Sequence, residues 1–425
     1  MSAMALEGIR VIDLGQAWAG PLATQLLADV GAEVIKVESI QRLDPWRTSG
    51  TRPEDEGWWN RSPLTNTVCR NKYSLTLNLG HPRGAALFKQ LVKIGDVVAE
   101  NYTPRVMENF GLHYPVLKEV NPDIIMISMP GSGMTGPWRN HVGFGSSVEQ
   151  MAGIPQLLGY LDGGPTCHGI GVAVTDPFSA LNGAVAMLMA LHWRQVTGKG
   201  QYIDLSQNEA LTCTIGDAIM GYTLNRKVQG RRGNRHPFMA PHGCYRCQSF
   251  PGKDQGEDMW AVIAISSDVE WESFSQAIGS PSWTREERFA DSLGRWQNQD
   301  ELDKLIEAWT AEHDHYQVMH ILQAAGIRAA PVVTAPELLS DPHLEKRGFF
   351  ETFDHPEMGL HPYPGIPYKL SETPGSIRMP APTLGQHNEQ ILSELLGLSQ
   401  REIAQLAAEE VIGTRPLGAK GTGVR

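Results

Sequence analysis

The first half of the chain alternates short runs of branched apolar residues with longer segments of helical apolar spacing, and this alternation restricts the fold more than any other feature. Residues 9–14 read as a buried strand and 20–30 as a helix, with Pro21 in its first turn, where a missing N–H does no harm. Residues 32–37 read as a second strand. Strand, helix, strand in this order makes a parallel unit with a right-handed crossover. The pattern continues with a strand at 74–79, a helix at 83–94, a strand at 96–100 and an apolar run at 123–129 that stops at Pro130-Gly131-Ser132-Gly133. A helix at 177–193 and a strand at 201–206 complete it. The expected fold class is α/β, with a Rossmann-like, doubly wound large domain.

A chain of 425 residues exceeds what one hydrophobic core usually supports, so a second domain is expected. The texture changes where the large domain's N-terminal part, 1–220, gives way to 221–258, a linker or excursion rich in Gly, Arg, Pro and His. A smaller α+β domain is expected over 259–333, with a strand at 260–265 and helices near 269–278, 300–311 and 315–325. Residues 334–415 read as a return to the large domain, and 416–425 as a disordered tail.

Composition excludes several classes. A net charge of −11 argues against a nucleic-acid binder, although a local cluster of cations can still hold phosphates. The most apolar run, 184–191, is far too short to span a bilayer, so no membrane partner is expected. The opening stretch MSAMALEGIRVIDL lacks the regions of a secretory signal. Five cysteines, an odd number scattered through the chain, do not suit a disulfide framework. A cytoplasmic protein is expected. Cys244 and Cys247 lack a second ligand pair, so no metal site is read there.

The common nucleotide, zinc-protease and hydrolase motifs are missing from the places where a fold would use them. Five other blocks stand at strand ends or helix starts. The first is Gln16-Ala17-Trp18-Ala19-Gly20-Pro21, at the C-terminal end of the first strand and just before a helix. Open α/β sheets bind ligands there, and a helix N-terminus favours an anion. Then come Cys69-Arg70-Asn71-Lys72, the run from Asn101-Tyr102 to Arg105, the run from Pro130 to Pro137, and Thr175-Asp176-Pro177 with Arg194 to Gln201. Lys72 and Arg105 suit phosphates, one as a point charge and one as a planar fork. Asp176 before a proline has two readings, an ordinary helix cap or a reactive carboxylate.

Taken in order, these blocks closely resemble the family III CoA-transferases, and the resemblance continues into Asp341-Pro342-His343-Leu344 and Pro380-Ala381-Pro382-Thr383-Leu384-Gly385. It implies that Asp176 is the nucleophile, passing through a mixed anhydride and an aspartyl-CoA thioester. It implies that Gln16, Ala17, Trp18, Ala19, Arg70, Asn71, Lys72, Asn101, Tyr102 and Arg105 contact CoA, and that Gln16, Trp18 and Phe144 line the acyl pocket. No cofactor is held permanently; coenzyme A and acyl-CoA enter as substrates with a carboxylic acid partner. The family's assembly is an interlocked dimer, and a homodimer or a heterodimer with a homologous subunit is expected.

The α-methylacyl-CoA racemases share most of these blocks but need a His in a Gly-His-Asp sequence as second base. Here the corresponding stretch is Gly143-Phe144-Gly145, and phenylalanine cannot accept a proton. Two further readings stay open at this point: a CoA-binding protein without catalysis, and a subunit that needs a homologous partner. Trp18, Trp46, Trp58, Trp59 and Trp138 could together suit an aryl acid. The expected donor is succinyl-CoA, and the expected acceptor an aryl-substituted or other dicarboxylate.

Overall fold

The computed structural model describes residues 4–166, 174–249 and 259–418. Among them the chain divides into two compact units: Met1–Pro155, Cys167–Val228 and His343–Arg425 in one, Gln156–Thr166 and Gln229–Pro342 in the other.

The larger unit is built on six parallel strands: β1 (Arg10–Asp13), β2 (Glu33–Glu38), β3 (Lys72–Thr76), β4 (Val97–Glu100), β5 (Ile125–Ser128) and β6 (Tyr202–Asp204). Their order across the sheet is β3-β2-β1-β4-β5-β6. The order reverses between β1 and β4, and the loops leaving those two strands diverge there into a crevice.

Alternation along each strand divides the apolar residues between two faces. Val11, Val34, Val97 and Ile125 meet α1 (Ala19–Ala28), while Ile12, Ile35, Val98 and Met126 meet α2 (Pro82–Ile94). A long helix, α3 (Thr175–Thr197), lies beside α1 and presents Ala180, Ala184, Met187 and Ala190 to the same core. These small side chains let the two helices approach closely. At Gly183 a Cβ would stand 2.9 Å from the Met129 sulfur and 3.6 Å from the Ala23 Cβ. The expected strands and helices of this half are present, with ends displaced by a few residues.

The smaller unit has a three-stranded antiparallel sheet of β7 (His242–Arg246), β8 (Trp260–Ala264) and β9 (Arg328–Val332). Trp271 and Phe274 of α4 (Asp268–Ala277), Leu302 and Ile306 of α5 (Gln299–Thr310), and Val318 and Leu322 of α6 (His315–Ala324) cover one face of it. Here the structure corrects the expected boundaries. The unit starts at Gln229 and includes Gln156–Thr166, so much of the segment read as a linker belongs to a domain. The stretch His242-Gly243-Cys244-Tyr245-Arg246, strand-like in sequence, is β7, with only Tyr245 buried.

The C-terminal part rejoins the larger unit. It adds a hairpin, β10 (Phe350–His355) and β11 (Gly359–Pro364), and then completes the outer edge of β3. The Ser74 and Thr76 N–H groups donate to His387 Nδ1 at 3.0 Å and Asn388 Oδ1 at 2.8 Å. Of the expected tail, residues 419–425 lie outside the described residues. No helix among the described residues is long and apolar enough to cross a membrane.

Candidate active site

The crevice between β1 and β4 is shaped by the turn at residues 15–18. Gly15 and Gly20 touch across it: a Cβ on Gly20 would fall 2.7 Å from the Gly15 Cα and 3.2 Å from Asn101 Oδ1. Only glycine fits there. The Asn101 side chain then binds the turn from the β4 side. Its Oδ1 accepts the Gln16 N–H at 2.8 Å, and its Nδ2 donates to the Gln16 carbonyl at 2.9 Å. Ala17 follows with φ +55°, a left-handed conformation unusual for a residue with a Cβ. Trp18 occupies the cap position of α1, its ring 5.1 Å from that of Trp46.

These residues bring the first backbone N–H of α1 to Asp176. Burial pushes the Asp176 pKa up to about 6, while the Ala19 N–H and its own N–H, placed towards the carboxylate, favour the charged form. Of the two readings of this aspartate, the helix cap does not fit its position. α3 starts at Thr175 with Val174 at the cap position, and no side chain caps it. Asp176 is the second residue of the helix, and its carboxylate is turned towards the neighbouring helix, α1.

Tyr102 is held by a second buried group, since its N–H donates to Glu100 Oε2 at 2.7 Å. Burial pushes Glu100 up to about 7, against the opposing effect of the Ser128 hydroxyl and the Tyr102 N–H. The Gln16 amide stands 3.5 Å from the Tyr102 hydroxyl, a loose contact. Arg105, three residues on, is exposed at the start of the short helix Arg105–Asn109 and makes no ion pair among the described residues. Phe144 is 71% exposed and caps the helix Gly145–Met151, whose Gly145 carbonyl accepts the Thr175 hydroxyl at 3.1 Å.

Gln16, Ala17, Trp18, Ala19, Asn101, Tyr102 and Asp176 thus gather around one crevice, with Phe144 beside the start of α3. Arg70, Asn71 and Lys72 depart from expectation. Lys72 is fully buried, with its three donors directed to Asp13 Oδ2 at 2.8 Å, the Pro21 carbonyl at 2.6 Å and Thr24 Oγ1 at 2.8 Å. Arg70 forms a two-pronged pair with Asp29, at 3.1 and 2.7 Å, and also donates to the Pro364 carbonyl. Asn71 binds Asp29, Ser376, Arg378 and Met379. An ammonium with every proton engaged has none to offer a phosphate. These three side chains are engaged by the fold around the site.

The tryptophans do not converge either. Trp58 and Trp59 pack with Ile40 and Leu384, and Trp138 is exposed beside His141. Trp18 and Trp46 form one pair and Trp58 and Trp59 another, in separate clusters.

The sequence reading passed over Asp13, Lys36 and Asp44. Asp13 and Lys36 are register partners on β1 and β2, and Lys36 Nζ donates to the Gly15 carbonyl at 2.6 Å. Asp44 Oδ1 accepts the N–H groups of Ala17 at 3.0 Å and Trp46 at 2.9 Å. The available signal was a lysine and a glutamate inside the otherwise apolar strand Val34-Ile35-Lys36-Val37-Glu38. Charges within a buried parallel strand require partners.

Comparison with known proteins agrees with this geometry. Residues 6–388 match CoA-transferase family III. Succinyl-CoA–D-citramalate CoA-transferase of Chloroflexus aurantiacus is 38% identical over 410 residues, covering 96% of this chain and 98% of the relative. The beta subunit of succinyl-CoA–L-malate CoA-transferase from the same organism is 34% identical over 412 residues, again 96% and 98% of the two chains. The crystal structure of a CAIB/BAIF family protein from Brucella suis is 31% identical, with a TM-score of 0.82 over 92% of this chain and 100% of that one. The chain belongs to CoA-transferase family III and is an enzyme that acts on acyl-CoA and carboxylic acids.

Proposed function

We propose that this enzyme moves coenzyme A from succinyl-CoA to a small dicarboxylic acid, with Asp176 as the group that carries the acyl bond. The observation that carries the reading is a carboxylate half-withdrawn from water at the N-termini of two helices, with the Ala19 N–H placed towards it, in the crevice where the strand order reverses. The relatives' names support the substrate class. They pair succinyl-CoA with D-citramalate and L-malate, and a further relative, 32% identical, with mesaconate. The scattered tryptophans give an aryl-substituted acceptor no comparable support.

Each step conserves the thioester's energy. An Asp176 oxygen attacks the succinyl thioester carbon, and CoA leaves as the thiolate, giving a succinyl–aspartyl anhydride. The thiolate then attacks the aspartyl carbonyl, succinate leaves, and Asp176 holds CoA as a thioester. The acceptor carboxylate attacks that carbonyl and expels the thiolate. The thiolate attacks the acceptor's acyl carbon and returns Asp176 as a carboxylate. In each attack at the aspartyl carbon, the Ala19 N–H faces the oxygen that gains charge.

Arg105, exposed and free of ion pairs among the described residues, is the cation suited to the nucleotide phosphates. The active assembly contains two copies of the chain. Support comes from α3, where Leu181, Val185, Leu188, Met189, Trp193 and Val196 form an exposed apolar stripe opposite the buried one.

Borohydride reduction during turnover with succinyl-CoA, followed by peptide mapping, tests the chemistry. The expected result is a reduced side chain at position 176 and none in Asp176→Ala. Transfer by Asp176→Ala at a rate near the unmodified enzyme's would overturn it.

A further inference from the structure

We propose that Asp44, gripped by Lys36, is the positioning residue that holds Ala17 left-handed and so keeps the Ala19 N–H on Asp176. The inference rests on the reading of Asp176 as the nucleophile. Its basis is a buried cluster of three acids and three bases beneath the turn. Asp13 is taken by Lys72 at 2.8 Å and Glu38 by Arg47 at 2.6 Å, leaving Lys36 for Asp44 at 3.4 Å. The Lys36 and Asp44 side chains are 1% and 4% exposed.

Such a pair contributes little net stability, because desolvating two ions cancels most of their attraction. It does fix geometry. Lys36 takes the Gly15 carbonyl and Asp44 takes the Ala17 N–H, so the two side chains bracket the turn between them. The same Asp44 oxygen takes the Trp46 N–H, tying the partner of Trp18 to the same point. Asp44, Glu38 and Asp13 keep Lys36 an ammonium against the burial that opposes charge. Burial pushes the Asp44 carboxyl up, while Lys36 and the two N–H groups oppose that.

Ala17 would not stay left-handed unaided, since that conformation is unfavourable for any residue with a Cβ. Relaxation there would rotate the Trp18–Ala19 peptide and withdraw its N–H from Asp176. Asp176 would then ionise less readily, and the aspartyl carbonyl would lose its donor.

Two double variants separate this role from general destabilisation. Asp44→Asn with Lys36→Met, and Asp44→Ala with Lys36→Met, both remove the buried ions and leave none unpaired. They differ in whether an acceptor still faces the Ala17 N–H. The readout is the rate of borohydride-trappable label on Asp176 in a single turnover, followed from pH 5 to pH 8, with folding checked by thermal melting. The alanine double is expected to label about tenfold more slowly, as for one lost hydrogen bond in the transition state, with its midpoint moved to higher pH. The asparagine double should retain most of the rate, and adding Ala17→Gly to the alanine double should restore part of it. Equal rates and midpoints in the two doubles would overturn the inference, as would an alanine double that melts lower but labels normally. If the alanine double does not fold, the asparagine double decides: slow labelling with a raised midpoint there overturns the acceptor role. Failure of the unmodified enzyme to label Asp176 would overturn the nucleophile reading itself, and the positioning role with it.

Discussion

As the proposed nucleophile, Asp176 would cost stability and supply reactivity. An unfolded aspartate titrates near 3.8, and burial moves this one to about 6. The folded state therefore binds its proton more tightly, so stability falls as pH rises from about 4 to about 6 and stays lowered above that. Asp176→Asn is expected to abolish transfer and raise stability at pH 8 by on the order of 2 kcal/mol, a gain that disappears below about pH 4. Denaturant titration at both pH values checks it. Transfer by the unmodified enzyme should rise with pH through about 6, as the carboxylate forms. Lys72 and Arg105 make a contrasting pair. Lys72→Ala strands the buried Asp13, which Lys72 and Lys36 hold below the usual carboxylate range against its burial. It should cost about 3 kcal/mol or more. Arg105→Ala should leave the melting temperature unchanged and raise KM for the acyl-CoA. A KM effect without destabilisation at Lys72 would reinstate it as a ligand contact.

At the scale of elements, the contact of α1 with α3 determines where Asp176 stands. Their facing residues are Ala19, Ala23 and Ala28 on one helix and Ala180, Gly183 and Ala184 on the other. Gly183→Leu would force them apart and should destabilise by about 1–3 kcal/mol, the usual range for overpacking. It should also slow labelling of Asp176, because the Ala19 N–H and the carboxylate ride on different helices. Circular dichroism melts and single-turnover trapping measure the two effects separately; destabilisation with unchanged labelling would show that the helix spacing tolerates the change. Most elements of this unit were legible beforehand, since long periodic segments such as 82–94 and 175–197 carry strong signals. The strand-like character of β7 was legible but its place in the smaller unit's sheet was not, because a strand with one buried side chain in five carries no alternation to show which sheet it joins.

For the whole molecule, the exposed stripe on α3 leads to a prediction about assembly. Sedimentation velocity should show a dimer, and Val185→Asp with Met189→Asp should weaken it, since unpaired charges at an apolar interface cost several kcal/mol. A monomer with full activity would refute it. The smaller unit takes in Gln156–Thr166 from within the larger one's sequence, a border that periodicity along the chain does not mark. What the sequence determined by itself was the order of strands and helices and the family, because periodicity and motif order are properties of the chain. The tertiary structure decided which cations are paired among the described residues. Arg70, Lys72 and Arg105 are equally charged in sequence. Only the folded sheet shows that Asp29 and Asp13 already neutralise the first two, because ion pairing at buried strand ends depends on register between strands distant along the chain.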